Sequence, residues 1–202
     1  MTATTQLQAD VKGTREGEFK PLMGADCEML LAGLNHDLAG EYQAVLMYTH
    51  YSAKLTGPYR RELRALFLEE ASEELGHARF LADKIAALGG EPTTTPREVP
   101  AALQPREMLE RALAAEKRAI ADYTERIGQA AAFGDIGLKV ALENQIADET
   151  RHKEEIERVL FGWNDLNLER ARNEDRWDDD GGPTLDSTSN SNGSVEKSSK
   201  DD

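Results

Sequence analysis

Four stretches of this chain have the apolar spacing of helices that bury one face, and each face is broken near mid-length by Glu, or by Glu and His. The first stripe reads Leu31, Leu34, Leu38, Glu41, Val45, Tyr48, Ser52, Leu55. The second reads Leu63, Phe67, Glu70, Glu74, His77, Leu81, Leu88. The third is Leu109, Leu113, Glu116, Ile120, Tyr123, Ile127, and the fourth Leu138, Leu142, Glu149, His152, Ile156, Val159. Steps of three and four put each set on one side of a helix. Burying an unpaired carboxylate costs on the order of several kcal/mol, so carboxylates that meet in one core require positive charge among them.

Two divalent cations would cancel the charges of Glu41, Glu74, Glu116 and Glu149, and neutral imidazoles of His77 and His152 would complete a mixed oxygen and nitrogen shell. That donor set suits iron, manganese or zinc better than calcium. Glu-x-x-His places its side chains about one turn apart on one face, so Glu74 with His77 can grip one side and Glu149 with His152 the other. The pattern is doubled: Glu41 precedes Glu74 by 33 residues, and Glu116 precedes Glu149 by 33. One Glu-x-x-His arises easily in a chain this rich in Glu; two with the same upstream Glu, both on core faces, do not. Glu41-x-x-Ala44-Val45-x-x-Tyr48-Thr49 also echoes Glu116-x-x-Ala119-Ile120-x-x-Tyr123-Thr124, as if two helical hairpins were copies.

The punctuation predicts four helices. The first runs from Asp26 to Thr56, and Gly57-Pro58 turns the chain, with Pro58 at the first helical position. The second stops at Gly89-Gly90 after Leu88. Segment 89–104 holds Pro92, Pro96 and Pro100 and reads as extended. It can span about 50 Å against about 40 Å for a helix of this length, which fits a long crossover better than a hairpin loop. The third helix runs from Pro105 to Phe133; Gly134 turns the chain and Asp135 caps a fourth that ends at Phe161-Gly162. The expected organisation is a flexible arm at 1–25, a four-helix bundle at 26–162, and an acidic, largely disordered tail at 163–202.

These residues resemble the ferritin-like superfamily of carboxylate-bridged diiron proteins, and bacterioferritin most of all, from about Leu34 to Leu160. Leu34-Asn35 through Glu41, Tyr48, the doubled 33-residue interval and Leu88-Gly89-Gly90-Glu91-Pro92 carry the likeness. The resemblance implies an all-α, ferritin-like four-helix bundle with a long crossover between the second and third helices. It implies that Glu74 and Glu149 bridge two Fe ions per subunit, with Mn or Zn as substitutes. Glu41, His77, Glu116 and His152 would be terminal ligands. It further implies ferroxidase chemistry on Fe(II) with O2 or H2O2, and storage of ferric mineral in a homo-oligomeric cage of 24 subunits, or of 12 as in Dps-like relatives. The same family pattern carries a Tyr at Tyr48, which places it among the catalytic residues. Bacterioferritins set a haem-ligating Met directly after the first bridging Glu; Leu75 stands there and cannot ligate iron, so no haem is expected.

Other readings compete at particular residues. Tyr48 and Tyr123 each follow a ligand Glu by seven positions; they serve the ligands or are core aromatics with satisfied hydroxyls. His36 and His50 fall off the ligand face. Glu70 either leads metal inward or belongs to a solvated edge with Glu69 and Glu73. Cys27 reads as a small core residue. The same ligands would also serve a non-storage diiron or dimanganese oxidoreductase of peroxidase, catalase or hydroxylase type. One cysteine excludes an added iron module held by four cysteines and any disulfide within the chain. A net charge of −14 argues against nucleic acid as a partner. Without an apolar run or a signal segment, no membrane partner is expected and the expected compartment is the cytoplasm.

Overall fold

The structure, a computed structural model, describes residues 24–179, with side chains as far as residue 163. The expected arm falls outside the described residues except for its last two positions, and so does the tail beyond residue 179. Four helices follow one another: α1 (Ala25–Lys54), α2 (Arg60–Ala87), α3 (Pro105–Phe133) and α4 (Ile136–Asp179). Two compact units divide between Phe161 and Gly162. The first holds the bundle; the second holds the last part of α4.

Each helix end has a local cause. Gly57 adopts a left-handed φ of 87° and its carbonyl accepts from the Arg60 amide, so Pro58 lies in the turn and α2 begins at Arg60, later than the expected Pro58. After α2 and after α3 the chain closes the same way. Gly89 and Gly134 turn left-handed, the next amides (Gly90, Asp135) bond back to Ile85 and Ala130, and the last carbonyls are satisfied. Asp135 then caps α4, its Oδ1 accepting from the Leu138 amide at 2.9 Å. Gly162 does not end α4, contrary to the sequence expectation. A glycine inside a helix costs only about 1 kcal/mol without a left-handed cap, and the following Asn-Leu-Glu-Arg-Ala sequence supports helix.

Leu88 to Gln104 is the crossover. Asn35, Ala39, Gln43, Tyr51 and Lys54 of α1 bond successively to Glu91, Arg97, Glu98, Pro100 and Ala102. The segment therefore runs along α1 in the same direction and delivers the chain to the far end of the bundle. α3 consequently runs antiparallel to α1, as Tyr48–Glu116 and Arg126–Asp37 show. α4 runs antiparallel to α2, as Lys84–Asp135 and Arg151–Glu73 show.

An apolar cluster of Leu30, Leu34, Leu38, Leu81, Ile85, Leu138 and Leu142 fills one end. Tyr48, Tyr51 and Phe67 pack together at the other, with ring centroids 5.6–6.2 Å apart. Each buried Leu contributes about 1.5–3 kcal/mol. These two ends hold the middle of the bundle in place, where burial is unfavourable. α1 also buries residues off its predicted stripe: Leu30 in the apolar cluster, Asp37 against Arg126 of α3, and Gln43, Met47 and Tyr51 because the crossover covers a second side of that helix.

Candidate metal centre

Glu41, Glu74, Glu116, Glu149, His77 and His152 all reach the middle of the bundle and are no more than 9% exposed. They form two overlapping groups, Glu41–Glu74–His77–Glu149 and Glu74–Glu116–Glu149–His152, each offering ligand atoms within 4.8 Å of one another. Glu74 and Glu149 belong to both groups, the position a bridging carboxylate must occupy. Nδ1 of His77 bonds Glu74 Oε2 at 3.2 Å and lies 2.9 Å from Glu149 Oε1. Nδ1 of His152 faces Glu74, Glu116 and Glu149 at 3.6–3.7 Å. The two rings lie nearly parallel, 6.4 Å apart.

The tyrosines cross over between the halves. Tyr48 of α1 donates to Glu116 of α3, and Tyr123 of α3 donates to Glu41 of α1. Tyr123 thus has the same contact as Tyr48, and its sequence signal is the same seven-residue step from a Glu. Glu70 is buried, not part of a solvated edge, and its Oε2 lies 3.0 Å from His152 Nε2. Glu73 and Asp148, the residues just before Glu74 and Glu149, also face the imidazoles (Glu73 Oε2 3.0 Å from His152, Asp148 Oδ2 3.7 Å from His77). Neither lies on a predicted stripe. His36 and His50 stand apart from the centre, beside Asp122 and Tyr51.

Electrostatics shows that the residues fit a metal pair. Burial, then the charges of Glu74 and Glu149, pushes the Glu41 carboxyl well above its ordinary value. Burial does the same to Glu116, with Glu74 and Glu149 adding to it against His152. Burial also opposes charge on Glu149, but His152, His77 and Glu116 together hold it at about 2; Glu74 is likewise held low by His152, His77 and Glu41. Burial disfavours the imidazolium of His77, yet Glu149 and Glu74 raise it to about 10, and His152 is raised by Glu116, Glu149 and Glu74. Protons on Glu41, Glu116 and both histidines therefore neutralise the centre, as two divalent cations would among four carboxylates and two neutral imidazoles. Both Glu149 oxygens and His152 Nδ1 are buried without a well-formed hydrogen bond, although His77 Nδ1 stands 2.9 Å from Glu149 Oε1 and His152 Nδ1 3.7 Å from Oε2. Such atoms are expensive unless something coordinates them.

A cleft of about 390 Å³, open mouth included, runs between α1 and α3 from Arg97, Arg118 and Asp122 to Glu41, Glu74, Glu116 and Glu149. Gly40, Ala44, Ala115 and Ala119 leave the gap. The free space inside it is only about 20 Å³, room for about one water.

A family model for the ferritin-like domain matches residues 31–162. The chain belongs to the ferritin-like family. A ferritin-like, diiron-carboxylate protein from Bacillus anthracis is 49% identical, with TM-score 0.68 over 68% of this chain and 99% of that one. The bacterioferritin of Rhodobacter capsulatus, described with a metal-free dinuclear site and a haem iron, is 30% identical over 69% and 88%, with TM-score 0.60. A dodecameric thioferritin from Bacteroides fragilis, 23% identical over 71% and 90%, shares the fold with TM-score 0.65. No curated protein matches the sequence. Among the described residues of this ferritin-like protein no helix is long and apolar enough to cross a membrane.

Proposed function

We propose that this ferritin-like protein is a cytoplasmic ferroxidase that stores ferric mineral inside a homo-oligomeric cage of 12 or 24 copies. The observation that carries the reading is the pair of overlapping ligand groups sharing Glu74 and Glu149 in a buried, charge-balanced centre. Two Fe(II) ions are the substrate, each losing one electron, and O2 or H2O2 takes up the pair. Bound iron supplies the electrons and the Lewis acidity; the chain supplies the rest. Glu74 and Glu149 hold both positions. Glu41 with His77, and Glu116 with His152, close the two sides. As Fe(II) binds, four protons leave Glu41, Glu116, His77 and His152, so the centre remains neutral. Tyr48 and Tyr123 fix the terminal carboxylates through their hydroxyls. A single bundle has no room for mineral, which is why assembly belongs to the reading.

The test is aerobic Fe(II) addition to the full-length protein, followed by size-exclusion chromatography with light scattering and an iron count per particle. A cage retaining hundreds of irons supports storage. A monomer or dimer retaining about two metals per chain overturns storage and leaves a diiron or dimanganese oxidoreductase.

A further inference from the structure

The two halves of the centre supply the same three ligands, two Glu and one His each, but the residues behind the two imidazoles differ. Behind His152, Glu73 Oε2 accepts a hydrogen bond from Nε2 at 3.0 Å. Glu73 is itself clasped by Arg151 at 2.7 Å, and buried Glu70 lies 3.0 Å from the same nitrogen. With Nε2–H committed there, Nδ1 is the only nitrogen of His152 directed at the centre, and it is buried with no hydrogen-bond partner. The repeat that equates Glu74 with Glu149 equates Glu73 with Asp148, Glu70 with Gln145 and Arg151 with Gly76. Asp148 is one methylene shorter, and its Oδ2 stops 3.7 Å from His77 Nε2, beyond hydrogen-bond distance. Gly76 offers no clasp, and Arg151 draws Asp148 toward itself at 3.1 Å. Gln145 brings a neutral amide where the other half has a carboxylate. His77 Nδ1 is already bonded to Glu74, a contact that metal binding must break.

We propose that the two metal positions are unequal. The position served by His152 is the tighter, because Glu73, held by Arg151, positions that imidazole, while Asp148 falls short of doing so for His77. The inference rests on the metal centre proposed above. An imidazole whose outer N–H is held by a carboxylate is fixed in orientation and tautomer and is a more basic ligand, and losing that partner typically costs 10–100-fold in metal affinity. Glu73 is therefore a positioning residue for one metal, and the His77 side is the one that exchanges its ion.

The test is an anaerobic titration of the full-length, metal-free protein with Zn(II) by calorimetry, repeated with Co(II) by visible absorption. Neither readout depends on turnover. The wild type should bind two ions in two resolved steps, with His152→Ala removing the tighter and His77→Ala the weaker. Glu73→Asp, a surface-edge shortening that opens no core, should weaken the tighter step by roughly 10–100-fold and leave the weaker unmoved. Asp148→Glu should tighten the weaker step. Equal affinities in the wild type, loss of the tighter step in His77→Ala, or steps unmoved by both Glu73→Asp and Asp148→Glu would overturn the inequality while leaving the metal centre standing. A wild type that binds no Zn(II) would overturn the centre itself, and this inference with it.

Discussion

Asp37 in α1 and Ala112 in α3 hold corresponding places in the repeat, as do Tyr51 and Arg126, and Gly33 and Met108. Gly33, Asp37 and Arg126 meet between α1 and α3, and each half fills its end differently. At one end Arg126 passes over Gly33, where any Cβ would overlap its guanidinium, to pair with buried Asp37 at 2.8 Å. At the other end Met108 and Ala112 are fully buried, and Tyr51 sends its hydroxyl to the Pro100 carbonyl of the crossover. Around the ligands the halves keep the same residue types (Glu41 and Glu116, Tyr48 and Tyr123, Glu74 and Glu149, His77 and His152), as they also do at stripe positions such as Leu34 and Leu109, Leu38 and Leu113, and Leu63 and Leu138. A doubled ligand set needs near-equal geometry at the centre. At the ends of the α1–α3 seam each copy answers to its own neighbours, and the crossover, which runs along α1, also reaches α3 where Arg97 pairs with Asp122 at 2.8 Å.

That comparison can be broken at several points. The largest effect should come from Glu74→Ala or Glu149→Ala. Each residue serves both positions, so either change should slow Fe(II) oxidation by more than about 100-fold while assembly persists, since outer residues alone account for 10–100-fold in affinity. Stopped-flow oxidation rates that differ widely between these two variants would show that the bridge is not shared. Next is Arg126→Met, which strands the Asp37 carboxylate in the seam and should lower unfolding free energy by about 3–5 kcal/mol in urea denaturation. Adding Asp37→Ala, which copies Ala112, should recover most of that loss. A single variant as stable as the wild type would refute the contrast between the two ends. Tyr48→Phe and Tyr123→Phe should each cost about 1–3 kcal/mol in the metal-free chain, by leaving Glu116 or Glu41 without its donor. Similar costs are expected because the contacts are equivalent; thermal melts that separate the two strongly would deny that equivalence.

The smallest effect is in pH. In the metal-free chain His77 titrates at about 10 against an ordinary 6.5, because burial is outweighed by Glu149 and Glu74. A raised folded-state pKa gives stability that is whole below pH 6.5 and is lost as pH rises through about 10. Melting temperature should therefore fall toward pH 10 without metal and hold steadier with Zn(II), which replaces that proton. Parallel pH profiles with and without Zn(II) would contradict the exchange of protons for metal.

The ligand face is legible in the sequence because a charge on an apolar stripe has few explanations, and a doubled interval removes most of the rest. Pro105, Gly134 and Asp135 likewise mark the ends of α3 and the start of α4 through local backbone chemistry. Gln43, Met47 and Tyr51 are not legible as buried positions, since one helix's periodicity carries no record of a crossover lying on its other side. Glu73 and Asp148 escape for a related reason: they stand beside a ligand, off the stripe, and only the approach of α2 to α4 turns them toward an imidazole. Gly162 misleads because a glycine stops a helix through a left-handed turn, and its identity alone does not impose one.

The most direct measurement is anomalous diffraction from crystals of the full chain soaked with Zn(II), collected at the zinc edge. Two peaks between Glu74 and Glu149 in each subunit, one beside His77 and the other beside His152, with the second the more fully occupied at limiting metal, are the result predicted. No peak at these residues, or a single peak that Glu74 and Glu149 do not share, would contradict the dinuclear centre.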